Sequence, residues 1–222
     1  QRSGLQPSVI TFNTAISACE SGGEWPWALA LLREMRRGTL APDVITYSSA
    51  ISACEKELHW QEALDLLRNM LDRRVELDVV ACNAAISACE KGRQWQEALA
   101  LLAEMHRVRL EADVVSYSAV ISACEKGGRW GQALQGLSEM RRLGLAPNVI
   151  TCNAVLGACR DGCRWREVAT LLDDMRLSSL HMDVTTCSLA LAAWEAVAHS
   201  EAAPDLIAVA EMEGLRALVT AS

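Results

Sequence analysis

The sequence predicts an all-α fold, a solenoid of helix-turn-helix hairpins stacked at a step of 35 residues. Three rows of identical residues carry that expectation. Trp25, Trp60, Trp95, Trp130 and Trp165 stand 35 apart, and so do Cys19, Cys54, Cys89, Cys124 and Cys159, and Met35, Met70, Met105, Met140 and Met175. A period of roughly 20 to 50 residues, held without insertion or deletion, marks copies of one supersecondary unit stacked in a line. Composition agrees with helices, because the chain is 51% apolar over 222 residues yet holds one Phe and two Tyr. Its apolar mass is therefore Ala, Leu, Val, Ile, Cys and Trp.

Each period splits into two amphipathic halves. In the second unit Tyr47, Ile51 and Cys54 fall at i, i+4 and i+7, and after a polar turn Trp60, Ala63, Leu64, Leu67 and Met70 again share one helical face. Stretches such as Glu20-Ser21-Gly22-Gly23-Glu24 and Glu125-Lys126-Gly127-Gly128-Arg129 separate the halves and are expected to release the chain from the first helix. Ala41-Pro42-Asp43 and Ala146-Pro147-Asn148 close the period: proline is expected to stop the second helix, and Asp or Asn to cap the next. Helices of about three turns result, and neither can bury its stripe without neighbouring units.

Taken in order, residues 1–8 read as the end of a preceding repeat, because Leu5-Gln6-Pro7-Ser8 matches Leu40-Ala41-Pro42-Asp43. Five complete units follow: Val9 to Asp43, Val44 to Asp78, Val79 to Asp113, Val114 to Asn148 and Val149 to Asp183. Residues 184–222 read as a degenerate sixth repeat or a cap, with Val184-Thr185-Thr186-Cys187-Ser188 opening it, Leu206 to Met212 resembling Leu29 to Met35, and Pro204 within it.

A hairpin opening Val-Ile-Thr-Phe-Asn (Val9 to Asn13) or Val-Ile-Thr-Tyr-Ser (Val44 to Ser48), with Glu-Ala-Leu in its second helix (Glu62-Ala63-Leu64, Glu97-Ala98-Leu99) and Pro42-Asp43 before the next unit, resembles the pentatricopeptide repeat family. The resemblance covers nearly the whole chain. The related tetratricopeptide hairpin is 34 residues long, and the five 35-residue steps with their Pro-Asp junction disfavour it. The resemblance implies a right-handed superhelix whose first helices line the concave side. It also implies sequence-selective binding of single-stranded RNA, one nucleotide per unit.

Residues suited to that task recur in register. The second position of each unit is Ile10, Ile45, Val80, Val115 and Ile150, a row of β-branched groups able to clamp flat bases. The fifth position is Asn13, Ser48, Asn83, Ser118 and Asn153, and the last is Asp43, Asp78, Asp113, Asn148 and Asp183. By the family's pairing rules the Asn–Asp pairs of units one, three and five imply uridine, Ser48 with Asp78 guanosine, and Ser118 with Asn148 adenosine. The implied core is U-G-U-A-U, read 5′ to 3′ from the N-terminal unit. The same residues also suit plain helix capping and an exposed helix face.

Charge argues the other way. The formal net charge is −7, whereas a chain that follows phosphates usually shows a basic stripe. Lys56, Lys91 and Lys126 form such a row, able to meet the backbone, but Ser21 and Asp161 interrupt it, and Glu20, Glu55, Glu90 and Glu125 run beside it. A second function class therefore stays open: a helical-repeat scaffold whose groove takes a peptide or partner protein.

Catalysis finds no support in the sequence. His199-Ser200-Glu201 matches the first half of a zinc deaminase signature, but no cysteine follows it. No Cys-x-x-Cys with a nearby histidine suggests a metal, no cofactor is implied, and no glycine-rich phosphate loop follows a strand, so neither an enzyme nor a small-molecule site is expected. The tryptophans open the apolar stripe of each second helix and are expected in inter-repeat packing. Nine cysteines, most on helix faces at the repeat spacing, fit a reducing compartment. No 18-residue apolar run suggests a membrane partner. The resemblance implies a chloroplast or mitochondrial setting, RNA processing, stability, editing or translation as the role, and other RNA-processing proteins as partners.

Overall fold

The computed structural model describes residues 7–38 and 40–198. Eleven helices occupy the described residues: α1 (Val9–Gly22), α2 (Trp25–Arg37), α3 (Val44–Lys56), α4 (Trp60–Asp72), α5 (Val79–Lys91), α6 (Trp95–Arg107), α7 (Val114–Lys126), α8 (Trp130–Arg142), α9 (Val149–Asp161), α10 (Trp165–Leu177) and α11 (Val184–Ala198). His199, Ser200, Glu201, Pro204 and the segment from Leu206 to Met212 lie outside the described residues.

Each odd-numbered helix begins on a capped turn. Asp43 Oδ1 accepts from Thr46 N–H at 2.9 Å, Asp78 from Ala81 at 2.8 Å, Asp113 from Ser116 at 2.8 Å and Asp183 from Thr186 at 2.7 Å, while Asn148 Oδ1 accepts from Thr151 at 2.8 Å. At Asp43 and Asp113 the third helical residue returns the bond, its hydroxyl accepting from the capping backbone N–H at 3.2 Å in both cases. The capping expectation therefore holds for these aspartates and for Asn148.

Helix termination differs from expectation. Helices α4, α6 and α10 end in the same way as α2 and α8 although no proline follows them. The device is a backbone closure: the residue that follows the left-handed position donates to the carbonyl five residues back. In the first helices that carbonyl belongs to the cysteine row, as in His59 N–H to Cys54 at 2.9 Å and Gln94 N–H to Cys89 at 2.8 Å. In the second helices it belongs to the methionine row, as in Leu110 N–H to Met105 at 2.8 Å. Glycine takes the left-handed position at Gly23, Gly128 and Gly144, but Leu58, Arg74, Arg93, Arg109, Cys163 and Ser179 hold it with φ of 54° to 64°. Closure of the turn outweighs the cost of about 1 to 2 kcal/mol for a side chain there.

Packing follows the two stripes. Tyr47, Ile51, Cys54, Ala63, Leu67 and Met70 are all buried, and the same positions recur along the array. Successive first helices pack directly on one another (α1 on α3, α3 on α5, α5 on α7, α7 on α9, α9 on α11), and each second helix packs on its own first helix and on the next. The second helices make no comparable pairing among themselves. A tight inner layer and a splayed outer one give a solenoid whose concave face is formed by the first helices.

The tryptophans lie at the joints between hairpins. Trp60, Trp95 and Trp130 are half-buried, each against the glycine that ends the next first helix, namely Gly92, Gly127 and Gly162. Arg129 lies over the Trp95 ring at 4.6 Å and Arg164 over Trp130 at 4.4 Å, while Trp25 meets His59 at 4.0 Å between ring centroids. The inter-repeat expectation is met: Trp95 and Trp130 each lie against both a turn glycine and an arginine of the next hairpin, Trp60 against Gly92 and Trp25 against His59.

Candidate nucleic-acid interface

The concave face carries an exposed apolar row between hydrogen-bonded polar clusters. Ile10, Ile45, Val80, Val115 and Ile150 are 59% to 77% exposed, although β-branched groups at the second helical position could have turned inward. Nothing among the described residues covers them, and each stands three residues before the fifth position on the same helix.

At the fifth and last positions the structure brings the paired residues of units one, two, three and five into direct contact. Asn13 Nδ2 donates to Asp43 Oδ1 and Oδ2 at 3.1 and 3.2 Å, Asn83 Nδ2 to Asp113 at 3.2 Å and Asn153 Nδ2 to Asp183 at 3.2 Å. Each aspartate is at once the cap of the next helix and the anchor of the asparagine. Helix capping and the contact to the asparagine are therefore compatible in one arrangement.

A residue type that sequence reasoning passed over completes the cluster. The third residue of the following helix turns a hydroxyl onto the amide oxygen: Thr46 to Asn13 Oδ1 at 2.6 Å, Ser116 to Asn83 Oδ1 at 2.5 Å, and Thr186 to Asn153 Oδ1 at 2.7 Å. Its signal was visible as the Asp-x-x-Thr or Asp-x-x-Ser of a capping box. The amide orientation follows from chemistry, since only the NH2 side can donate to a carboxylate. With Nδ2 held by the carboxylate and Oδ1 by the hydroxyl, each amide has one further proton and one further lone pair to offer.

The serine units are built differently. Ser48 and Ser118, expected on the groove face, are 7% and 9% exposed. Their short side chains bond back to their own helix, Ser48 Oγ to the Val44 carbonyl at 2.8 Å and Ser118 Oγ to that of Val114 at 2.6 Å, which draws them into the seam between first helices. Ser48 also reaches Asp78 at 3.2 Å, because Ala81 offers no hydroxyl in between. Ser118 does not reach Asn148. Thr151 bridges them, 2.6 Å from Ser118 Oγ and donating to Asn148 Oδ1 at 2.9 Å. The group left open in unit two is thus the Asp78 carboxylate, and in unit four the Asn148 NH2.

The hydrogen bonds set the charge state. Burial, the largest influence, pushes the Asp43 and Asp113 carboxyls up, but the bonds from Thr46 and Asn13, and from Ser116 and Asn83, outweigh it and hold both below the ordinary aspartate range. Asp183 is held low by the Thr186 N–H and hydroxyl and by Asn153. All three are acceptors at neutral pH.

Further along the first helices the lysine and glutamate rows interlock. Lys91 Nζ lies 2.6 Å from Glu55 and Lys126 Nζ 2.8 Å from Glu90, while Lys56 stands 3.8 Å from Glu20 and donates to its carbonyl at 3.1 Å. Ser87 adds a bond to Glu55 at 2.8 Å. The acidic row therefore spans the seams between successive first helices and is neutralised by the lysines. Those ion pairs are partly exposed and can exchange partners at little cost. In the fifth unit the pattern breaks: Gly157 replaces the serine, Asp161 replaces the lysine, and Arg160 turns to Asp161 at 2.7 Å. Burial pushes the Glu125 carboxyl above the ordinary range, with Lys126 and Arg160 opposing and Asp161 and Glu90 adding to it.

Among the described residues there is no group of three or more metal-ligating side chains and no helix long and apolar enough to cross a membrane. Burial pushes the Cys54, Cys82 and Cys89 thiols up to about 12, so these cysteines are packing groups, not nucleophiles.

A stack of capped hairpins with one polar cluster per joint defines a tandem α-hairpin repeat protein. The chain belongs to the PPR repeat family, whose models match residues 7–56, 77–126 and 112–161, with a further repeat match at residues 45–75. No curated protein matches it in sequence. Among solved structures it is similar to the pentatricopeptide repeat protein PPR10 from maize, with 28% identity and a TM-score of 0.65 over 96% of this chain and 30% of that one. PPR10 in complex with an 18-nucleotide psaJ RNA element matches at 26% identity, TM-score 0.65, over 96% of this chain and 29% of that one. The PPR domain of Arabidopsis thaliana protein-only RNase P 1 in complex with tRNA shares the fold at 15% identity and a TM-score of 0.73, covering 82% of this chain and 96% of that one. The chain thus spans less than a third of the PPR10 chains it resembles.

Proposed function

We propose that this array binds single-stranded RNA, one nucleotide per repeat, and selects bases with the fifth and last residues of each unit. The observation that carries the reading is the set of three Asn–Asp contacts at 3.1 to 3.2 Å, in register along a groove lined by exposed β-branched side chains. PPR10, solved with an RNA element, is of the same family and architecture, which supports RNA as the ligand class.

Each residual hydrogen-bonding group matches one base. At Asn13, Asn83 and Asn153 a free amide proton and a free carbonyl lone pair fit the N3–H and a flanking carbonyl of uridine. The open Asp78 carboxylate accepts from two neighbouring donors, which guanine supplies at N1–H and its exocyclic amine. The Asn148 NH2 is a donor whose own oxygen is committed to the cap, and adenine offers the N1 acceptor. The retracted Ser48 and Ser118 leave room for the larger purines. The implied core is U-G-U-A-U. Lys56, Lys91 and Lys126 would exchange a glutamate for a phosphate, so net acidity weakens binding without abolishing it. This stretch serves recognition rather than catalysis, and a role in organellar RNA processing, stability, editing or translation belongs to the same reading.

Exchanging the reading pair tests it. Asn83→Ser with Asp113→Asn gives unit three the pair of unit four, with Ser116 already placed to bridge as Thr151 does. In a filter or mobility assay the preferred third nucleotide should move from uridine to adenosine, by about 1 to 3 kcal/mol, with flanking preferences unchanged. Equal binding to all RNA pools would remove the base selection but not RNA binding, whereas no RNA affinity, with affinity for a peptide library that ignores salt, would favour the protein-interaction scaffold instead.

A further inference from the structure

Every Asn–Asp pair in the array has a hydroxyl from the next hairpin on its amide oxygen, supplied by Thr46, Ser116 or Thr186. These three side chains are fully buried, so no base can touch them. The corresponding residue is Ala81 at the one joint where a serine faces an aspartate, and there Ser48 donates to Asp78 directly. Thr151 supplies a hydroxyl at the Ser118–Asn148 joint as well, so its presence alone does not track the fifth-position amide; what the Asn–Asp joints share is that the hydroxyl ends on the amide oxygen, and α5 shows that a helix can begin on Asp78 without it.

We infer that the third residue of each following helix is a positioning residue for pyrimidine choice, locking the amide of the preceding unit so that uridine is taken over cytidine. The inference rests on the base-reading role of Asn83 and Asp113. An amide can hydrogen-bond to either pyrimidine, to N3–H and a carbonyl in uridine, or to N3 and the exocyclic amine in cytidine. What separates them is where the amide oxygen lies. Held by the aspartate alone, through Nδ2, an asparagine can pivot about that contact and follow either base. Held at both ends, by Asp113 at 3.2 Å and Ser116 at 2.5 Å, its plane is fixed. The Ser116 hydroxyl has one proton and lies 3.0 Å from Asp113 Oδ1 as well. Its short contact to Asn83 Oδ1 makes the amide the favoured acceptor, since Asp113 Oδ1 already accepts from the Ser116 N–H at 2.8 Å. Each reading site is consequently shared by two hairpins: two residues of one unit and the third residue of the next.

Ser116→Ala in the full chain tests this, and alanine is already accommodated at the equivalent Ala81. Affinities for U-G-U-A-U and for the same RNA with cytidine at the third nucleotide give the discrimination at that unit. Loss of one hydrogen bond should lower the uridine-to-cytidine ratio by about three- to tenfold, leaving the ratios at the first and fifth nucleotides unchanged. Ser116→Thr should restore it, as threonine serves at Thr46 and Thr186. An equal loss of affinity for both RNAs would show that the hydroxyl merely supports the helix start, and would overturn the inference. A parent protein with no third-nucleotide preference would instead remove the base-reading role itself, and the inference with it.

Discussion

Gly127→Ala probes the tryptophan end of the joint between the third and fourth hairpins. Gly127 has φ −84° and ψ −2°, a right-handed conformation open to any residue, so its backbone does not require glycine. Its neighbour does. A β-carbon built there would stand 2.9 Å from Trp95 Cγ and 3.2 Å from Trp95 Cβ, and closer still to Cδ1. The atoms in the way are the root of the indole, which cannot swing aside as a flexible tip can. Either the ring turns out from beneath Arg129, giving up a cation–π contact at 4.6 Å worth about 0.5 to 1 kcal/mol, or the two hairpins move apart. Overpacking of this kind costs roughly 1 to 3 kcal/mol, and for a chain of this size each kcal/mol lowers Tm by about 2 to 4 °C. Thermal and urea melts followed by tryptophan fluorescence measure both the cost and the ring's change of environment. Gly128→Ala is the control: nothing lies within 4 Å of its added carbon, and only its φ of +68° opposes the substitution, so about 1 to 2 kcal/mol is expected with little spectral change. A Gly127→Ala protein as stable as the parent, with an unchanged spectrum, would refute the packing of turn against indole. Base preference should survive if only the ring turns out, and fall at the third nucleotide if the hairpins move apart, because Asn83, Asp113 and Ser116 span the same joint.

Two further outcomes follow from the electrostatics. At neutral pH, Asp113→Asn should weaken the start of α7 slightly, as it removes a carboxylate held below the ordinary value of 3.8. A depressed carboxyl contributes stability above its unfolded value and loses it as pH falls through the folded one, so melts of parent and variant should converge below about pH 4, and a constant gap would contradict the assignment. Gly157→Ser should raise stability by about 1 kcal/mol, through helix propensity and a restored donor to Glu125 like the one Ser87 gives Glu55 at 2.8 Å. The atoms nearest the added carbon belong to the flexible Glu125 side chain, and a lower Tm would show that this carboxylate cannot move.

Much of this molecule is determined within a single 35-residue period. Apolar residues at helical spacing give the two stripes, and Asp43, Asp78, Asp113, Asn148 and Asp183 give the helix starts, because amphipathicity and capping act between residues at most a few turns apart. The register of the second, fifth and last positions was legible for the same reason. Helix ends were less so. Proline marks some junctions, but the closure onto Cys54 or Met105 carbonyls operates with or without it and needs no particular side chain.

What the tertiary structure alone decided is how one period meets the next. The contacts that build the site join residues 30, 33 or 36 apart: Asn83 to Asp113, Asn83 to Ser116, Lys126 to Glu90. A repeat pattern cannot specify them, since every unit offers the same residue types and only the stacking geometry selects which atoms come within bonding distance. That geometry paired Glu20, Glu55 and Glu90 with the lysines of the next unit, withdrew Ser48 and Ser118 into the seam, and placed a buried hydroxyl on the amides of Asn13, Asn83 and Asn153. Directional hydrogen bonds demand placement to a few tenths of an ångström, and in a solenoid that placement belongs to the joint between two hairpins rather than to either one.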